Sequence, residues 1–152
     1  MKEQWTMKTL NHNSRCNMNI IKEEIIINTH KEVELINITS KINEIISEKE
    51  VQDGLVNIST KHTTSAIIIN EDESGLKKDI IKLYEQIIPF DDYFHDKIDN
   101  NARSHLKASL STSNQTLPII NGKMSLGVWQ SIFFVEFDGP RKRRKILITL
   151  ID

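Results

Sequence analysis

The residue pattern predicts an α+β domain with a mainly antiparallel sheet and two to three helices, and three observations carry that expectation. Isoleucine is the dominant apolar residue, and β-branched side chains favour pleated, half-buried surfaces. Turn signals at Asp53-Gly54, Asn121-Gly122 and Asp138-Gly139-Pro140 separate the apolar runs. Between those runs the apolar spacing switches to that of a helix, over Val33–Glu48 and again over Leu76–Ile88. With 152 residues and no Gly/Ser/Pro-rich linker, residues 1–152 form one domain with its own core.

Taken in order, Gln4–Leu10 is a weak strand and Glu24–Thr29 a short buried one. Leu35, Ile38, Ile42, Ile45 and Ile46 recur at helical spacing, so Val33–Glu48 reads as one amphipathic helix. Leu55–Thr60 and Ser65–Asn70 read as paired strands, with His62–Thr64 at their junction. A helix begins at Ser74-Gly75 and ends before Pro89, with Leu76, Ile80, Leu83, Tyr84, Ile87 and Ile88 as its inner stripe. Phe90–Asn100 is a polar, acidic loop carrying His95. Asn101 caps a short helix from Ala102 to about Leu110, with Ala102, Leu106 and Leu110 stacked on one face. Thr116–Ile120 and Leu126–Phe137 are strands joined by Asn121-Gly122, and Lys145–Ile151 is the last strand. That final hairpin is apolar on both faces, which places it centrally in a sheet or at a subunit interface.

A formal charge of −1 argues against a general nucleic-acid binder. No apolar stretch approaches the roughly 20 residues of a spanning helix, and the first residues carry no signal-peptide apolar region. Cys16 is the only cysteine, so no disulfide forms within the chain; a cytoplasmic location fits.

The chemistry-bearing residues fall into separate blocks. Lys61–Asp79 (K-H-T-T-S-A-I-I-I-N-E-D-E-S-G-L-K-K-D) opens with His62 and Thr63 and closes its strand with Asn70 and Glu71. Asp72 and Glu73 either join a site or favour the following helix N-terminus electrostatically. Asp79 reads as solvent-facing or as lying near the helix start. Asn101–Ser109 (N-A-R-S-H-L-K-A-S) offers Arg103, His105, Lys107 and Ser109 beside free helical N–H groups, either an anion site or an exposed polar face. Trp129 and Gln130 open an apolar strand, Trp129 being either core or ligand-facing. Glu136, in I-F-F-V-E-F, is the most anomalous charge; it must face solvent, pair with Arg141 or Arg143, or line the site. The run Arg141–Lys145 either grips phosphates or is a solvated strand entrance.

At these residues the chain resembles the YjbQ-like family. The shared pattern runs from Ile36 onward: H-T-T-S-A with N-E, then E-S-G-L-K-K-D, N-A-R-S-H-L-K-A-S, P-I-I-N-G-K-M-S-L-G-V-W-Q and E-F-D-G-P-R. The resemblance implies a single α+β domain, a homotrimer, and a weak thiamine-phosphate synthase activity, a transferase reaction. It also implies His62, Thr63, Asn70, Glu71, Asp79, His105, Lys107, Ser109, Trp129, Gln130 and Glu136 as site residues. Two departures stand out: many relatives carry His where Arg103 stands, and they often continue Leu-Gly after Leu110 where this chain has Ser111-Thr112-Ser113.

Such a reaction couples a hydroxymethylpyrimidine pyrophosphate to a thiazole phosphate, so a cation must meet the leaving pyrophosphate. Glu71 and Asp79 would hold a hydrated Mg²⁺, which needs only one or two carboxylates. Arg103 and Lys107 would neutralise phosphate oxygens, His62, His105, Glu71 and Glu136 would do the catalytic work, and Trp129 would stack on a planar ring. Two other classes stay open. One is metal-assisted hydrolysis of a small phosphorylated molecule, with His62, His105 and a carboxylate around Zn²⁺ or Ni²⁺. The other is a non-catalytic trimer that binds a phosphorylated metabolite.

Overall fold

Two antiparallel sheets and three α-helices make up residues 18–152, the part of the chain that the computed structural model describes; the expected strand at Gln4–Leu10 and Cys16 lie outside it. The larger sheet contains β1 (Ile20–Ile27), β3 (Gly54–Thr60), β5 (Asn114–Ile120), β6 (Lys123–Met124) and β8 (Arg144–Ile151), in the spatial order β1-β8-β3-β5-β6. The smaller contains β2 (Glu34–Asn37), β4 (Ser65–Asn70) and β7 (Ser131–Glu136), in the order β2-β7-β4. The helices are α1 (Thr39–Glu48), α2 (Ser74–Ile87) and α3 (Ala102–Ser109). None of the described helices is long and apolar enough to cross a membrane.

The main core lies between the sheets. Ile25, Val56, Ile58, Ile119, Ile146, Ile148 and Leu150 of the large sheet pack with Ile67, Ile132 and Phe134 of the small one and with Ile42, Ile45 and Ile46 of α1. The opposite face of the small sheet carries Leu35, Ala66, Phe133 and Val135, joined by Phe137 just past β7 and covered by Tyr84 of α2 and Ala108 of α3. A strand covered on both faces needs apolar side chains at odd and even positions alike, which is why β7 reads as an unbroken run. Burying each of Phe133 and Phe134 completely contributes about 1.5–3 kcal/mol.

Several expected elements are arranged differently. Val33–Glu48 is two elements: Glu34–Asn37 pairs with β7, and the helix starts at Thr39, whose N–H is accepted by the Asn37 side chain at 2.9 Å. Leu35, Ile36 and Ile38 satisfy both a strand and a helix period, and pairing with β7 decides between them. β3 and β4 are not partners. β3 pairs with β5 and β8 and β4 with β7, so Lys61–Thr64 carries the chain from one sheet to the other. β7 and β8 likewise belong to different sheets, each in the interior of its own. Asn121-Gly122 turns the chain with both residues at positive φ (51° and 75°), but into the two-residue β6 rather than a long strand. Gly54 starts β3 where a Cβ would sit 2.1 Å from the Ile151 carbonyl oxygen, so only glycine fits that close approach.

The helices bury less than their patterns imply. No residue of α2 is fully buried, and Leu83 and Ile87 of its apolar stripe are 54% and 52% exposed. α3 turns Ala102, Ser104 and Lys107 inward, leaving Leu106 and Leu110 exposed. Its first N–H is accepted by Asp96 at 2.8 Å, while the expected cap, Asn101, donates its amide to Asp138 instead. Phe90–Asn100 is not wholly irregular: Phe94–Lys97 forms one 3-10 turn.

Candidate functional site

The connector between β3 and β4 is fixed at each end, which makes it a rigid platform. Thr60 and Ser65 share a hydroxyl–hydroxyl bond of 2.7 Å, and the Thr60 hydroxyl also accepts the His62 N–H. The Thr64 hydroxyl accepts from Arg144, and its carbonyl accepts the Phe137 N–H. Beyond α3, Thr112 and Ser113 bond to Ile67 and Thr60 respectively, tying that segment across the gap between the sheets. These chains enclose a groove of about 310 Å³ lined by His62, Thr63 and Ser65 of the connector, His105, Ala108 and Ser109 of α3, and Ser113. Ser111-Thr112-Ser113 makes its turn without positive φ, so a glycine is not required there.

His62 is half-buried, and its Nε2 accepts the Lys145 N–H at 3.0 Å. Burial holds its pKa below the ordinary imidazole value, the Arg144 guanidinium adds to that effect, and Glu136 opposes it. The ring is therefore neutral at pH 7. His105 packs edge-to-face on His95, with ring centroids 4.8 Å apart. The buried Nε2 of His95 has no hydrogen-bond partner among the described residues. His95 thus backs the His105 ring without lining the groove itself. It stood in an acidic loop in the sequence, where nothing in its spacing linked it to His105. Ser109 donates its hydroxyl to the His105 carbonyl at 2.9 Å.

Glu136 is wholly buried and fully committed. Arg144 donates to it twice, at 2.6 and 2.7 Å, and Thr29, Phe137 N–H and Asp138 N–H also donate. Its partner is Arg144 rather than Arg141 or Arg143; Arg141 pairs with Asp138. With its oxygens engaged, Glu136 fixes Arg144 and, through it, Thr64 and the connector. Lys107 and Arg103 do not line the groove either. Both bond to Glu85 of α2, the Lys107 side chain being 1% exposed. Burial pushes the Glu85 carboxyl up, but hydrogen bonds from Lys107 and Arg103 outweigh it and hold the group below its ordinary value. Arg103 also donates to the Ile88 carbonyl and lies over the Phe90 ring at 3.6 Å. Glu85 carried no sequence signal, because one carboxylate on an amphipathic helix is unexceptional.

The remaining candidates gather at the other end of the small sheet. Asn70 ends β4 and Glu71 follows it, the strand's six residues setting them about 20 Å from the connector. Asn70 is paired with Ser131, next to Gln130 and Trp129. Trp129 is not core. Gly127 and Gln130 close a tight turn through two hydrogen bonds, leaving Val128 and Trp129 94% and 72% exposed at its tip. The Gln130 amide oxygen accepts the Gly127 N–H within that turn. Glu73 caps α2 by accepting from Gly75 and Leu76 N–H groups, and Asp72 accepts from Asn37 and Lys77, so both serve local structure. Asp79 is exposed on α2. Among the described residues no three His, Cys, Asp or Glu side chains converge as metal ligands, so the donor set does not fit a His-bound Zn²⁺ or Ni²⁺ within one chain.

A second cavity, of about 520 Å³, lies at the start of α3 among Glu32, Asp91, Asp96 and Asp138. Asp96 and Asp138 are already engaged with Ala102, Asn101 and Arg141, and no imidazole of the described residues lines it, so the smaller groove is the better reaction site.

A fold of two sheets with α2 and α3 on the small sheet's outer face, and a two-imidazole groove at the sheet-to-sheet crossing, defines a small α+β protein with a polar cleft at that crossing. Residues 23–152 match the family model described as UPF0047 protein YjbQ-like, and the chain belongs to that family. A UPF0047 protein of Methanothermobacter thermautotrophicus is 48% identical over 128 residues, covering 84% of this chain and 90% of that protein. The UPF0047 protein YugU of Bacillus subtilis is 35% identical over 118 residues, covering 77% of this chain and 89% of its own length. A crystal structure from Sulfolobus solfataricus, described as a YbjQ-like protein of unknown function, superposes with a TM-score of 0.86 at 34% identity, covering 89% of this chain and 99% of that one.

Proposed function

We propose that the groove binds a small phosphorylated molecule and that the chain acts as a transferase of the thiamine-phosphate synthase type, in the cytoplasm and as a homotrimer. The observation that carries this reading is the meeting of His62 and His105, from distant parts of the sequence, in one groove with the hydroxyls of Thr63, Ser109 and Ser113. A volume of about 310 Å³ is at the small end of ligand sites and suits one substrate of the pair, the thiazole phosphate. In the coupling, the thiazole nitrogen bonds to the pyrimidine's methylene carbon while the carbon–oxygen bond to pyrophosphate breaks, the oxygen keeping the electron pair. His62 and His105 orient the phosphate. The rest of the site comes from a neighbouring copy, whose Trp129 stacks on the pyrimidine and whose Glu71 and Asp79 would hold a hydrated Mg²⁺; that ion supplies charge compensation to the pyrophosphate. The exposed Val128, Trp129, Leu83 and Ile87 support such an assembly, because apolar side chains at these positions gain by being covered. Asn70 and Gln130 lie beside that surface as polar contacts. Arg103 and Lys107 brace α3 rather than touch phosphate.

Thiamine phosphate formation by purified wild type and by His105→Ala tests the reading. Product from the wild type and at least about tenfold less from the variant is expected. Equal traces from both would remove the synthase reading and leave a binding protein.

A further inference from the structure

We propose that His62 reads a phosphate oxygen of the ligand as a neutral hydrogen-bond donor, through Nδ1–H, so that the groove recognises a phosphate monoester by uncharged dipoles and not by ion pairing. This rests on the reading that the groove takes a phosphorylated molecule. The tautomer follows from one contact. The Lys145 N–H donates to His62 Nε2 at 3.0 Å, and a backbone N–H only donates, so Nε2 carries the lone pair and the proton of the neutral ring is on Nδ1. The contact is built into the sheet. Pairing of β3 with β8 ends at Thr60 and Ile146, and the ring occupies the next position along β8. Nδ1 is then the only ring nitrogen left for a ligand.

Among the described residues no lysine or arginine lines the groove. Of the cations around it, Arg144 is paired with Glu136, Lys107 and Arg103 with Glu85, and Lys145 with Glu24 at 3.0 Å, while Lys61, next to His62 in sequence, is exposed and outside the lining. Among the described residues the Thr63 and Ser113 hydroxyls make no side-chain hydrogen bond, so they join Nδ1–H as donors. Protonating His62 would break its bond to Lys145 and set a second cation beside Arg144, which burial and that guanidinium both resist.

Nitrogen-15 NMR of the histidine rings at about pH 7.5, with inorganic phosphate as the probe, tests the assignment. His62 is expected to show a protonated Nδ1 and an unprotonated Nε2, and phosphate is expected to shift the Nδ1–H signal. Asn places an amide nitrogen near the position of Nδ1 and Gln near that of Nε2. His62→Asn should therefore keep phosphate affinity within about fivefold, and His62→Gln should lose about tenfold. Affinity should fall less than about threefold between roughly 50 and 500 mM salt, since no ion pair is screened. A proton on Nε2, an unmoved Nδ1–H, or Gln binding better than Asn would each overturn the proposal. The wild-type ring signals decide the matter even where a variant fails to fold. Absence of thiamine phosphate synthesis with an intact phosphate response on Nδ1 would remove the reaction and leave this inference standing; synthesis by a ring protonated on Nε2 would do the reverse.

Discussion

Replacing Glu136 by Gln keeps the shape of the side chain and removes its charge from a wholly buried position. One carboxylate oxygen accepts from Phe137 N–H, Asp138 N–H and Arg144 Nη2, the other from the Thr29 hydroxyl and Arg144 Nε. The Gln oxygen can take the first place, where three donors converge. Its NH₂ group must then take the second, facing the Nε–H of Arg144, donor against donor. The Thr29 hydroxyl can rotate to accept, but the guanidinium cannot. Breaking one partner of a buried ion pair costs about 3–5 kcal/mol. For a chain of this size that corresponds to a melting temperature lower by roughly 10 °C. Calorimetry at fixed protein concentration, with urea unfolding alongside, measures it. The double variant Glu136→Leu with Arg144→Met should be less destabilised than either single change, because no buried charge is left alone. A loss below about 1 kcal/mol in Glu136→Gln would refute the view that Glu136 is a structural anchor.

Glu85→Ala leaves the Lys107 ammonium buried without its carboxylate, and a loss of about 2–3 kcal/mol in urea unfolding is expected. Because the folded pKa of Glu85 lies below its ordinary 4.5, this contribution is present above pH 4.5 and disappears as pH falls through the folded value; the variant should lose less stability on acidification than the wild type. His62, also depressed, follows the same sign: its contribution is complete above the ordinary 6.5 and is lost as pH falls toward the folded value, so stability curves of wild type and His62→Asn should converge below pH 6.5. Leu83→Glu with Ile87→Glu should turn the assembled protein into monomers by light scattering, and a wild type that is itself monomeric contradicts the assembly. Each result is read against circular dichroism of the folded variant.

The chain announces its strands more clearly than their partners. β-branched runs and turn residues mark β3, β4, β5 and β8, but nothing in a strand's own residues says that β3 and β4 enter different sheets. That depends on which partner covers the second face. Leu35, Ile36 and Ile38 fit two periods at once, and only pairing with β7 splits the segment. In the groove, His62, Thr63, His105 and Ser109 were legible as reactive types next to strand and helix ends. Arg103, Lys107 and Glu136 were legible as anomalies, yet their use was not, because the carboxylate or guanidinium that neutralises each is remote or unremarkable in sequence. Composition leaves Trp129 between core and ligand, and the tight Gly127–Gln130 turn that exposes it is a matter of backbone closure.

A crystal structure of the protein with the thiazole phosphate shows whether a phosphorylated ligand sits between the two imidazoles. Phosphate oxygens are expected within hydrogen-bonding distance of His62 Nδ1 and His105, with the Lys145 N–H still on His62 Nε2. Phosphate held instead by the Arg141–Lys145 run, with the groove between His62 and His105 filled only by water, would contradict it.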